Sequence, residues 1–209
     1  MREIIIIQHC QSEHHINEMS GGWTDTPLTE LGRKQANLIG LRLKRELDGR
    51  EFVLYSSDLK RALQTAEILG DHLNLKIIYE KDLREINTGV AAGKTKKWAN
   101  ENRNPRKENK FDFDYQEFQN GETWRQFSNR VKSCMKNIVE SEEKNLIIVT
   151  HGGTLSFIIA WWMNFEIHMY LKSFFSASPA SISLLQETND KRHILRKLND
   201  TAHLTELKP

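Results

Sequence analysis

The chain has 209 residues, 38% of them hydrophobic and 28% charged, with a formal net charge of +2. That length suits one domain with a real core, and so small a charge excludes a nucleic-acid binder built on a basic surface. No apolar run approaches the roughly 20 residues of a membrane helix, and the two distant cysteines, Cys10 and Cys134, argue against a disulfide framework and for a reducing, cytoplasmic setting.

Residues 4–7, four consecutive isoleucines, predict a strand buried on both faces, as in a parallel sheet. A polar, glycine-containing loop follows over residues 10–27. Thr29 is an N-cap for a helix whose apolar stripe is Leu31, Leu38, Ile39, Leu43 and Leu47. Residues 52–55 read as a second strand. Ser56, Ser57 and Asp58 offer N-cap chemistry to the next helix, with Leu59, Ala62, Ala66 and Leu69 facing inward and Gly70 as its stop. Residues 76–79 read as a third strand.

Residues 86–120 are polar and locally basic (Lys94, Lys96, Lys97, Arg103, Arg106, Lys107, Lys110). They read as a lid inserted into a single domain spanning 1–209, with short helices around Trp98 and Tyr115. The basic residues are either a solvated face or a funnel for an anionic substrate. Residues 123–140 form a clear amphipathic helix, and residues 146–150 a further buried strand. His151-Gly152-Gly153 then opens a helix through Trp162, with Trp161 and Trp162 as core or dimer-contact residues; a homodimer stays open. Residues 181–185 and 193–198 read as a late strand pair turning at 188–190. Alternating strands and helices predict an α/β three-layer sandwich, with helices on both faces of a mostly parallel sheet.

In such sheets ligands bind beyond the carboxyl ends of the strands. Gln8-His9-Cys10, the 56–61 segment and His151-Gly152 all fall there. A phosphoryl acceptor at an imidazole must be a neutral ring held in one tautomer. It also needs donors for the phosphate oxygens. Arg61 offers a fork, His151 a ring nitrogen, and helix starts offer main-chain N–H groups. A leaving alcohol needs a proton, for which Glu85 is the candidate. Taken singly, His9 would be a hydrogen-bonded core histidine and Arg61 or Glu85 a surface charge. Together they form one pattern.

That pattern resembles the histidine phosphatase superfamily, the phosphoglycerate mutase-like family, and is nearest in look to small bacterial broad-specificity phosphatases. The resemblance runs from Ile4 to about His203. The opening R-H-G-E/Q-T motif reads Gln8-His9-Cys10-Gln11-Ser12, and the Gly-Trp-x-Asp-x-Pro-Leu-Thr stretch is intact over residues 22–29. Ser57, Arg61, Ala62, Thr65 and Ala66 match a helix-start motif, and Leu83, Arg84, Glu85 and Gly89 match L-R-E-x-x-x-G. Gly121-Glu122-Thr123 resembles G-E-S, and Val149-Thr150-His151-Gly152 the second histidine motif. The resemblance implies a phosphoglycerate mutase-like fold and hydrolysis of a small phosphomonoester through a phosphohistidine at His9. It implies Glu85 as proton donor, His151 as a catalytic partner, and Arg61 and Gly152 in the phosphate pocket. No metal and no organic cofactor is implied.

Two positions depart from the pattern. Gln8 stands where the family has arginine, replacing a charged fork with one neutral amide. Cys10 stands where the family has glycine, putting a Cβ and sulfur where the backbone meets phosphate. Gln8 and Cys10 therefore enter the phosphate-binding set as altered members. His15 or its neighbour His14 falls where close relatives carry a pocket asparagine, and a protonated His15 would restore positive charge. The alternatives are a weakened or inactive relative that binds phosphorylated ligands or a protein partner, and a phosphoglycerate mutase, which longer lids and a bisphosphate pocket would favour. His9, Cys10, His14 and His15 also fit no standard metal-ligand spacing.

Overall fold

The structure is a computed structural model and describes residues 2–47, 49–106, 112–142, 144–170 and 173–207. Six strands form one sheet in the order β3-β2-β4-β1-β5-β6. These are β1 (Arg2–Gln8), β2 (Phe52–Ser56), β3 (Ile77–Tyr79), β4 (Asn145–Thr150), β5 (Ile182–Glu187) and β6 (His193–Asp200). The first four run parallel, and β5 and β6 close the edge as an antiparallel pair.

The isoleucine run shows why both faces are covered. Ile5 and Ile7 enter a core shared with α2 (Glu30–Glu46) and α3 (Lys60–Leu73). Ile4 and Ile6 enter the opposite core, shared with α5 (Trp124–Ser141) and α6 (Gly152–Trp162). Side-chain alternation along a strand makes the division unavoidable once both faces carry helices. Trp162 is buried in the second core and Trp161 packs on its margin.

Several elements differ from the sequence expectations. A one-turn helix, α1 (Glu13–Ile16), interrupts the 10–27 stretch expected to be loop, and a second, α7 (Ile167–Tyr170), lies where the sequence carried no expectation. Helix α3 is capped across space. Its first N–H, at Lys60, donates to Asp25 Oδ1 at 2.7 Å, while Ser57 Oγ accepts only the N–H of Leu59. Gly70 does not stop α3. The helix runs on to Leu73 and ends at Asn74, whose φ of 53° is the left-handed C-cap. Gly70 is instead a close-approach position, where a Cβ would stand 2.9 Å from Leu75 O.

In the 86–120 stretch, α4 (Lys96–Glu101) carries Trp98 as expected, but no helix forms around Tyr115. Ala91, Ala99 and Phe118 make a small separate apolar cluster with Trp98 against it. Of the basic residues there, Arg103 pairs with Glu117, Lys96 lies 3.7 Å from Glu18, and Lys94 and Arg106 lie over the Trp98 and Tyr115 rings. These partners mark a solvated, paired surface. Lys107 and Lys110 lie outside the described residues.

Candidate active site

The carboxyl ends of β1, β2 and β4 converge on His9. The residue leaves β1 with its N–H on Thr150 O at 2.8 Å and is 3% exposed. Its Nδ1 sits 2.8 Å from the carbonyl of Cys10, which can only accept, so the ring proton is on Nδ1. Nε2 therefore carries a lone pair. Burial and the nearby Arg61 guanidinium push the imidazole pKa well below its ordinary value, so the ring is neutral at neutral pH.

Arg61, in the first turn of α3, donates its Nε to His9 Nε2 at 3.1 Å. Its Nη1 and Nη2 donate to Thr24 O and Gly22 O, both at 2.7 Å. This is what the 22–29 stretch builds. Gly22 adopts φ +58°, and a Cβ there would fall on the Thr88 side chain, so only glycine delivers that carbonyl. Asp25 caps α3, and the Leu28 N–H donates to Gln64 on the same helix. Arg61 is 1% exposed, and no carboxylate contacts it among the described residues. Burial lowers its pKa to about 10, against the more distant pull of Glu85 and Asp25.

His151, the N-cap of α6, places Nε2 2.8 Å from Ser57 Oγ. Ser57 Oγ also accepts the Leu59 N–H; with its hydroxyl donating to Nε2, the His151 ring proton lies on Nδ1, a buried atom with no partner among the described residues. Burial first, then Arg61 and His9, hold this ring neutral as well. The His9 and His151 rings lie 5.1 Å apart, edge to face.

Glu85 rests on the N-terminus of α6. One carboxylate oxygen accepts the Gly153 N–H at 2.8 Å and the other the Ile86 N–H at 2.9 Å. A Cβ on Gly153 would fall on that carboxylate, so the glycine is what lets it approach. Gly152 plays a like part for Gln8, whose amide lies 3.3–3.5 Å from where a Gly152 Cβ would be. Gln8 is 8% exposed, and its Oε1 is buried without a partner among the described residues.

Cys10 is the correction. Its side chain is fully buried among Leu28, Ala36 and Ile39 in the apolar core, and its N–H donates to Thr65 Oγ1 at 3.2 Å. Burial raises the thiol pKa to about 12. The sulfur is turned into that core and away from the space where the sequence expected it to crowd a phosphate. The contribution of Cys10 to the site is its carbonyl, which sets the His9 tautomer.

His14 and His15 both join the site, their rings 5.9 and 5.5 Å from His9 and the His15 ring nearly parallel to it. Ser12 N–H donates to His15 Nδ1 at 3.0 Å, which places the His15 proton on Nε2. His14 Nδ1 lies 2.8 Å from Ser12 Oγ. Burial is the largest cause of both shifts. It holds His14 at about 3, and His15 is lowered too, with Arg61 adding to each. His15 is therefore a neutral donor, not the protonated replacement charge that the sequence suggested. Ligand nitrogens of His9, His14 and His15 lie within 4.8 Å of one another. A cation there would compete with Arg61 for the His9 lone pair, so the charge distribution favours an anion.

Sequence reasoning missed Trp23 and Arg130, whose indole and guanidinium donate to the Glu85 carbonyl at 2.8 and 3.0 Å. Gly-Trp-x-Asp and the glutamate at 122 were visible as motifs. Nothing local marked Arg130, on the face of an amphipathic helix 45 residues away.

Comparison with known proteins bears on the family and the fold. The family model of the histidine phosphatase superfamily (branch 1) matches residues 4–201. Phosphoserine phosphatase 1 of Hydrogenobacter thermophilus is 29% identical over 99% of this chain and 96% of its own. A broad-specificity phosphatase of Saccharomyces cerevisiae is 30% identical, covering 96% and 86%. Among solved structures, a mycobacterial glucosyl-3-phosphoglycerate phosphatase superposes with a TM-score of 0.79 at 23% identity, covering 96% of this chain and all of the other. Phosphoserine phosphatase from Entamoeba histolytica superposes at 0.74 and 24% identity, covering 98% and 100%.

Proposed function

This chain belongs to the histidine phosphatase superfamily, and from that premise we propose that it hydrolyses a small phosphomonoester through a phosphohistidine at His9. The observation that carries this reading is the His9–Arg61 contact: an unprotonated Nε2 at 3.1 Å from a buried guanidinium with no carboxylate against it among the described residues. A buried, unpaired cation is costly, and a phosphate dianion supplies the missing charge.

The steps follow from the hydrogen bonds. His9 Nε2 attacks phosphorus while the ester P–O bond breaks, and the leaving oxygen takes a proton from Glu85. Water, giving its proton back to the Glu85 carboxylate, then attacks phosphorus and breaks the P–N bond. Inorganic phosphate leaves and His9 is restored. Arg61, His151 Nδ1–H, His15 Nε2–H and the Gln8 amide are the donors to the three phosphoryl oxygens. Cys10 takes part only through its carbonyl. The chemistry needs no metal, since two neutral imidazoles, one amide and one arginine supply the donors. A small phosphorylated metabolite is the substrate class, and the two free thiols suit a reducing cytoplasm.

The Gln8 amide favours a second reading, a slow family member that binds phosphorylated ligands more than it turns them over. Hydrolysis is favoured because His9, Arg61, His151 and Glu85 are all in place. The test is a chelator-treated phosphatase screen of wild type beside His9→Ala, with an alkaline detergent quench of enzyme incubated with labelled ester. Acid-labile, base-stable label on wild type alone is expected. Equal turnover by both proteins rules out His9 chemistry.

A further inference from the structure

Resting on the reading of Glu85 as proton donor, we propose that Arg130, held by Glu122, is a positioning residue that sets Glu85 against the phosphoryl site. Glu85 sits in a stretch without helix or strand, following a single 3-10 turn at Lys81–Leu83. Carbonyls at the end of a single turn and in the irregular chain after it ordinarily face water. Here four in a row accept side-chain donors. Asp82 O takes Arg130 Nη1 at 2.8 Å, and Leu83 O takes Thr150 Oγ1 at 2.7 Å. Arg84 O takes Arg130 Nη1 at 3.0 Å and Thr154 Oγ1 at 2.9 Å. Glu85 O takes Arg130 Nη2 and Trp23 Nε1.

One guanidinium thus reaches three of the four carbonyls. It is itself fixed by a fork to Glu122, Nε to Oε1 and Nη2 to Oε2, each at 2.7 Å. Glu122 Oε2 also accepts the Asn87 N–H, so the pair grips the loop on both sides of Glu85. Both side chains are largely buried, at 14% and 17% exposure. Charge-assisted bonds of this kind are geometrically demanding, and proton transfer at a leaving oxygen needs placement within a fraction of an ångström. Arg130 makes no hydrogen bond to His9, Arg61 or His151 among the described residues, and its charge is the smallest of the named influences holding His151 neutral. Its hydrogen bonds reach the reaction through Glu85.

The leaving group separates this role from general scaffolding. A p-nitrophenolate departs without a proton, whereas the alkoxide of glycerol phosphate needs one. The value of kcat/KM reports the phosphorylation of His9, the step in which the leaving group departs. Arg130→Met is expected to lower kcat/KM on glycerol phosphate by about 30-fold and on p-nitrophenyl phosphate by less than about 3-fold. In a Glu85→Gln background the same substitution should change the glycerol phosphate rate by less than about 2-fold, since the group it positions is gone. Trp23→Phe keeps the ring and removes one donor to Glu85 O; it should show the same selectivity at about 5-fold, and it carries the test if Arg130→Met does not fold. Equal losses on the two esters, or a full Arg130→Met effect in the Glu85→Gln background, overturn the proposal. Wild type inert on both esters is a different failure, that of the phosphatase reading beneath it.

Discussion

Two buried arginines in this molecule stand in opposite surroundings. Arg42, on α2, donates to Asp200 at 2.7 Å and to Glu46 at 2.8 Å, and leans on His203. The pairing raises its pKa and lowers that of Asp200. It ties α2 to the end of β6 and to the 3-10 turn at Ala202–Leu207. Arg61 is the more buried of the two and has carbonyls and an imidazole where Arg42 has carboxylates. A cation that the protein neutralises itself is finished as a structural part. A cation that it surrounds with neutral acceptors is left with charge to give to a ligand. The same side chain thus marks a clamp in one region and, in the function proposed above, an anion site in the other.

The largest effect that tests this contrast is on turnover. Arg61→Met should lower kcat/KM by about 10²–10³-fold, the range for loss of a preorganised donor, while Arg42→Met should leave it within about 2-fold. Similar losses from both would break the comparison. Stability should reverse the order. Arg42→Met strands Asp200 and Glu46 and should cost about 2 kcal/mol by denaturant unfolding, a moderate figure because the carboxylates keep some solvent. Arg61→Met should stay within about 1 kcal/mol of wild type, since lost hydrogen bonds are offset by relief of an unpaired buried charge. Added phosphate should raise the melting temperature of wild type and of Arg42→Met but not of Arg61→Met.

Substitution at Gln8 sharpens the same point from the other side. Gln8→Arg supplies a second cation where an amide oxygen is buried without a partner, beside the space that Gly152 leaves open. It should raise kcat/KM on a generic ester by about 10-fold. No gain would mean that the Gln8 amide, with His14 and His15, already completes the pocket. Cys10→Gly should not add to it. Its side chain lies in the core, so that change leaves a void and costs about 1 kcal/mol.

The smallest effect is on pH dependence. His9, His14, His15, His151 and His203 all have folded-state pKa values below the ordinary 6.5, each chiefly through burial. The unfolded chain therefore binds more protons than the folded one below about pH 6.5. Stability should be at its plateau above that value. It should fall as the pH drops toward the folded value of about 3 at His14. Thermal melts at pH 7.5 and 5.5 should show the loss, and His15→Asn should reduce it. A flat profile would mean that these imidazoles are already charged in the folded protein.

The sequence by itself determined the architecture and the family. Four isoleucines in a row demand two buried faces, the Thr29 cap and the amphipathic stretch from Thr123 start their helices where expected, and the short motifs around His9, Arg61, Glu85 and His151 point to one site. Those are local signals, carried within a few residues of one another. Tertiary structure decided what local signals do not contain. The side to which Cys10 turns depends on how the chain leaves β1, and the packed core, not the phosphate, receives its sulfur. The charge of His15 depends on burial and on Arg61, which arrives from 46 positions further along the chain. The placement of Glu85 depends on Arg130, Trp23, Thr150 and Thr154, four donors from four separate segments. Pattern fixes which residues meet at the strand ends. Only the packed chain sets the proton on each ring and the partner of each charge, because both follow from distances and dielectric rather than from neighbours in sequence.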